Sequence, residues 1–124
     1  MKQPTTDATI SELVMACHSN SVEAGWYTNL QTGEPIKLNK GERLMLMVSE
    51  LAEAMEGIRK NLMDDKLPHR PMAEVEMADC CIRIFDFCGA EGYDLAGAII
   101  EKIAYNAERT DHKLESRIAG GKQF

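Results

Sequence analysis

Residues 49–86 read SELAEAMEGIRKNLMDDKLPHRPMAEVEMADCCIRIFD. This stretch carries two pairs of carboxylates, Glu50 with Glu53 and Glu76 with Asp79, separated by a break containing Pro68 and Pro71. Within each pair the spacing is three, which on a helix puts both acids on one face, one turn apart. Two such helices packed together bring four carboxylates to one place. Four negative charges there require divalent cations at neutral pH. Two solvated helix faces would write the same letters, so the pattern alone leaves both readings open.

Working outward, the segment from about Met72 to Ala90 is apolar round most of its helical circumference, with Val75, Cys80, Ile84 and Phe87 among its residues. Charge from residue 76 to residue 86 is confined to one arc: Glu76, Asp79, Arg83 and Asp86. A helix this apolar belongs at the centre of a bundle. Arg83, four residues after Asp79 and three before Asp86, is placed to pair with both and so to hold the geometry of the metal ligands.

The preceding helix starts near Asn39, a side chain suited to capping, with Glu42 three residues on. Leu44, Met47, Val48, Leu51, Met55 and Ile58 form its expected core stripe, and Glu50 and Glu53 lie beside it. Gly57, one turn beyond Glu53, leaves room for a ligand. Between the two helices Asp64 and Asp65 read as a solvated turn, with metal ligation the alternative. An amino-terminal helix spans about Asp7 to Ala24, ends at Gly25 and leads into a long loop from Thr28 to Leu38. A last helix, about Leu95 to His112, is capped by Asp94 and carries an arc of Lys102, Asn106, Arg109 and Lys113. That arc is either an exposed basic stripe favoured by the macrodipole or a clamp for phosphate oxygens. The expected fold is therefore all-α, a four-helix bundle in a single domain over 1–124, with a flexible tail from about residue 114.

Composition sets the class. Of 124 residues 44% are hydrophobic and 27% charged, as in a globular protein. The net charge of −6, with no basic stripe of the kind nucleic acid demands, argues against a nucleic-acid partner. No run of eighteen apolar residues occurs and the start lacks the apolar core of a signal peptide, so the expected location is the cytoplasm, away from membranes. Cys17, Cys80, Cys81 and Cys88 match no zinc spacing and read as small, reduced core thiols.

The ordered set E-x-x-E, a gap of about two dozen residues, E-x-x-D, then K-x-x-x-N-x-x-R resembles the MazG-type all-α nucleoside triphosphate pyrophosphohydrolases. The resemblance runs over roughly His18 to Arg109. It rests on the H-S-N at His18 to Asn20, the Gly25-Trp26 step, SELAEAMEGIR, EMADCCIRIFD and KIAYNAER. It implies hydrolysis of a nucleoside triphosphate, ribo- or deoxyribo-, between the α- and β-phosphates, in nucleotide-pool control or house-cleaning. Glu50, Glu53, Glu76 and Asp79 would be the catalytic metal ligands for Mg²⁺, or Mn²⁺ in its place, with more than one ion per site. Lys102, Asn106 and Arg109 would bind phosphate, and His18, Asn20 and Trp26 would line the base and sugar pocket. The resemblance also implies a homodimer or homotetramer, for which Met45, Met55, Met63, Met72 and Met77 would suit adaptable packing. One departure stands out: many relatives carry another acid just before the first motif glutamate, where this chain has Ser49, so the general base is unassigned and Glu53 is only a candidate.

Three rival readings accompany this one. A phosphoribosyl-ATP pyrophosphohydrolase-like enzyme shares the chemistry. A carboxylate-bridged di-iron bundle would need Glu-x-x-His, and here Glu53 and Asp79 stand at those ends. A non-enzymatic helical interaction module needs none of it.

Overall fold

The computed structural model describes residues 3–122. It contains α1 (Ile10–Glu23), α2 (Lys40–Arg59), α3 (Met72–Glu91), α4 (Leu95–Glu108) and α5 (Leu114–Ile118), with a 3₁₀ turn at Thr110–His112. Among the described residues there is no strand, only the isolated bridges Thr28–Pro35 and Met63–Pro71. The all-α class expected from the sequence is what the chain adopts. No helix among the described residues is long and apolar enough to cross a membrane. The chain divides into two compact units, one up to Tyr93 and one from Asp94 onward.

In the first unit, α3 packs against both α1 and α2, the central place its apolar circumference called for. The caps follow local chemistry. Asn39 Oδ1 accepts from the Glu42 amide at 2.9 Å, as its spacing predicts. α1 starts later than Asp7, at Thr9, because only Thr9 has a glutamate three residues ahead. The Thr9 hydroxyl accepts from the Glu12 amide while the Glu12 carboxylate accepts from the Thr9 amide, a complete capping box. α3 stops at Gly92, whose φ of 70° lets the Tyr93 amide turn back to the Cys88 carbonyl at 2.9 Å.

The face α2 offers to α3 differs from the stripe expected. Met47, Ala54 and Gly57 are buried, and Met47 joins Cys80 and Phe87 in the core. Leu44, Val48, Leu51, Met55 and Ile58 are between 49% and 69% exposed. The contact face is i, i+3, i+7, i+10 from Met47, which passes through Glu50 and leaves the rest of the apolar row outside. Gly57 makes no room for a ligand. A Cβ there would lie 3.0 Å from Met72 Cβ, so the missing side chain lets the start of α3 approach α2. Gly89 does the same for α1, since a Cβ would meet His18 Cβ at 2.5 Å.

Two smaller expectations also change. Asp64 is buried, not solvated: its Oδ2 accepts from the amides of Lys66 and Leu67 at 3.0 and 2.7 Å, closing the turn between α2 and α3. Cys80 and Cys88 are buried, with their thiol pKa values pushed up by burial, whereas Cys81 is exposed.

In the second unit Asp94 Oδ1 accepts from the Gly97 amide at 3.0 Å and starts α4 as expected. α4 ends at Glu108, short of His112, because Arg109 takes an extended backbone with ψ of 133°. The segment expected to be a flexible tail contains α5.

Candidate metal centre

Glu50 lies on the α2 face turned toward α3, between Met47 and Ala54 in the helical register. Glu76 and Asp79 stand one turn apart on α3. One carboxylate oxygen from each of these three residues falls within 4.8 Å of the other two. Hard oxygen donors at this spacing suit a divalent cation such as Mg²⁺ or Mn²⁺. Burial pushes the Glu76 carboxyl above its usual range, and a hydrogen bond with Glu50 and the charges of Glu50, Asp79 and Glu53 push it further. Asp79 is raised as well, by burial first and then by the charge of Glu50, against a smaller opposing effect from Arg83. Glu76 and Asp79 are thus under-compensated, and a cation would relieve them. Glu53 stands outside this triplet, exposed on α2, and acts on it through its charge. Ser49, beside Glu50, donates its hydroxyl back to the Leu46 carbonyl at 2.6 Å.

Arg83 departs from its expected partners. It crosses from α3 to α2, where its Nε donates to Glu50 Oε1 at 2.7 Å. It does not bridge Asp79 and Asp86 along its own helix. The cross-helix partner prevails because Glu50 is turned into the α2–α3 interface, within reach of a side chain one turn beyond Asp79.

Asp86 has partners of its own. Its Oδ1 bonds His18 Nδ1 at 2.9 Å and accepts from the Tyr27 hydroxyl at 2.8 Å, and its Oδ2 lies 3.4 Å from Arg43 Nη2. Arg43 also donates to the Tyr27 hydroxyl. Its guanidinium lies 5.2 Å from the Tyr27 ring centre and 5.0 Å from that of Phe87. The Tyr27 hydroxyl is pushed up to about 12 by burial and by the hydrogen bond to Asp86. This hub ties α1, α2, α3 and the segment after α1 together. Tyr27 and Arg43 escaped the sequence reading, although Arg43 lies seven residues before Glu50 and hence on nearly the same face of α2.

A cavity of about 610 Å³ opens between these two groups. Glu50, Asp79 and Arg83 line one side, Arg43 and Asp86 another, and Trp26 stands at it with 71% of its surface exposed. Of the three residues expected to form a base and sugar pocket, only Trp26 lines this cavity. His18 is turned to Asp86 and lies edge-on to Tyr27 with ring centres 5.1 Å apart. Asn20 is partly buried on α1.

In the second unit, Lys102 Nζ lies 4.6 Å from the ring centre of Tyr105. Arg109 holds Asp111 with two hydrogen bonds, of 3.0 and 2.5 Å, and its Nη1 lies 3.5 Å from Asn106 Oδ1. The Asp111 carboxyl is held down to about 2 by Arg109. The arc expected from Lys102 to Lys113 is thus interrupted, because the helix ends before Arg109 and that guanidinium serves the turn that follows.

No family model, no curated protein and no solved structure gives a significant match to this chain.

Proposed function

We propose that this chain is a Mg²⁺-dependent nucleoside triphosphate pyrophosphohydrolase of the MazG type. On this reading it cleaves between the α- and β-phosphates to release a nucleoside monophosphate and pyrophosphate. The observation that carries the reading is the convergence of Glu50, Glu76 and Asp79, from two helices, at the edge of a cavity with an exposed indole on its rim. An isolated acidic face on a helix would not place its charges across an interhelical contact, where burial raises the pKa values of Glu76 and Asp79.

Glu50, Glu76 and Asp79 would hold the cation, with Glu53 adding negative charge beside them. A bound divalent ion supplies charge neutralisation of the polyphosphate and a more acidic water for in-line attack. Trp26 offers an aromatic face to a base, a contact tolerant of base identity. The Asp86 hub keeps Tyr27 and Arg43 in place along the same cavity. Lys102, Asn106 and Arg109 are the residues that the resemblance offers for phosphate contacts. Glu53 is a candidate general base. The exposed row Leu44, Val48, Leu51, Met55 and Ile58 supports a homodimer or homotetramer, since a second copy would remove it from water. The same row would serve a non-enzymatic interaction module.

The test is pyrophosphate release from the eight common NTPs and dNTPs, with phosphoribosyl-ATP alongside, in the presence and absence of Mg²⁺. Turnover of at least one nucleoside triphosphate, abolished by chelation, is the expected result. Turnover of phosphoribosyl-ATP alone would move the assignment to that relative. No turnover with either Mg²⁺ or Mn²⁺ would leave the interaction module.

A further inference from the structure

Two cationic side chains line the cavity beside the acidic triplet, and they are held very differently. Arg43 is 16% exposed, lies against two aromatic rings and is bound to both Tyr27 and Asp86. Nothing short of dismantling that hub would let it turn. Arg83 is 43% exposed and is held at Glu50 through Nε, the inner edge of its guanidinium. Its two terminal nitrogens carry four further N–H donors.

Glu50 is also one of the three acids whose oxygens gather within 4.8 Å. A divalent cation on that triplet and the Arg83 guanidinium would be two positive charges on one carboxylate. They repel each other, and the stronger Lewis acid takes the oxygen. The anion that the cavity would then need to hold has one arginine within its walls that is not locked into the hub. We propose that Arg83 is exchanged between Glu50 and a polyphosphate: cation binding at the triplet displaces the guanidinium from Glu50, and the freed side chain turns to the anionic oxygens of the ligand. This rests on the metal-dependent reading above and adds an order to it, cation first and polyphosphate second.

The exchange has a signature that a supporting role lacks. If Arg83 competes with the cation, removing it tightens cation binding and weakens polyphosphate binding. If Arg83 only holds Glu50 in position, removing it weakens both. The two readings differ in the sign of the first effect.

The experiment measures Mn²⁺ binding without nucleotide, from the electron paramagnetic resonance signal of free Mn²⁺, for wild type, Arg83→Gln and Arg83→Lys. Inorganic tripolyphosphate binding is then titrated at saturating Mn²⁺. Arg83→Gln is expected to bind Mn²⁺ about fivefold tighter and tripolyphosphate about tenfold weaker, within the usual range of coupling between two ligands. Arg83→Lys keeps the charge without the planar fork and is expected to lie between wild type and Arg83→Gln on both measures. Unchanged or weaker Mn²⁺ binding in Arg83→Gln, with helical content intact by circular dichroism, overturns the exchange. If Arg83→Gln does not fold, Arg83→Lys decides: Mn²⁺ binding no tighter than wild type overturns it equally. Wild-type protein that binds no Mn²⁺ sinks the metal reading itself, a failure distinguishable from that of the exchange.

Discussion

Asp79 and Asp86 stand on the same helix, two turns apart and on nearly the same face, yet they live in opposite surroundings. Asp86 is met by donors from three directions, His18, Tyr27 and Arg43. Asp79 is met by other carboxylates, and its pKa is raised by burial first and then by the charge of Glu50. A partly buried acid met by several protein donors is part of the architecture. Acids gathered without enough donors cost stability, and a fold retains such a cost where a ligand relieves it. One helix thus carries a carboxylate answered by protein donors and one set among other acids, told apart only by their neighbours.

The contrast can be broken by substitution. Asp79→Asn is expected to lower nucleotide hydrolysis by roughly a thousandfold, the several kcal/mol a cation site supplies. The same variant should raise the melting temperature in chelator, because one repelling charge is gone. Hydrolysis near the wild-type rate would remove Asp79 from the site. Asp86→Ala should do the reverse to stability, losing about 3 kcal/mol by leaving Arg43, Tyr27 and His18 without their common acceptor. Urea unfolding measures it, and a loss within about 0.5 kcal/mol would show that the hub is not structural.

pH sharpens the same comparison. Glu76 and Asp79 have folded pKa values raised above their ordinary 4.5 and 3.8. A raised carboxyl binds protons in the folded state that the unfolded chain has already released. Its stabilising effect is present at low pH and is lost as pH rises from those ordinary values through the raised ones. The urea midpoint in chelator should therefore fall over that window, and Glu76→Gln should flatten the slope. An unchanged slope in Glu76→Gln would place the titration elsewhere. The smallest stability effect is expected at Trp26: Trp26→Ala should change stability by less than about 0.5 kcal/mol, the side chain being 71% exposed, while raising the KM for nucleotide roughly tenfold. An unchanged KM would take Trp26 out of the pocket.

Much of this was legible in the letters because it is local. The starts of α2 and α4 follow from Asn39 and Asp94, each accepting from an amide three residues on. The central place of α3 follows from its nearly continuous apolar surface. The E-x-x-E and E-x-x-D spacings placed Glu50, Glu76 and Asp79 on candidate faces before any tertiary contact was known. The errors lie where two apolar choices compete. On α2 the row from Leu44 to Ile58 is more hydrophobic than the face through Met47, Ala54 and Gly57, yet the smaller residues allow the closer helix approach. Periodicity reports which faces are apolar but not which one a particular neighbour can approach.

Residue spacing, caps and composition by themselves determined an all-helical chain with paired acids on its second and third helices, because those features act over one or two turns. Tertiary structure alone decided that Glu50 faces inward while Glu53 stays at the margin, and that Arg83 reaches across to α2. It also decided that Asp64 closes a turn and that Asp86 is saturated by residues distant in sequence. The physical reason is the same in each case. A side chain's charge, burial and partner depend on the rotation and separation of two packed helices, and those are settled by how volumes fit across the interface.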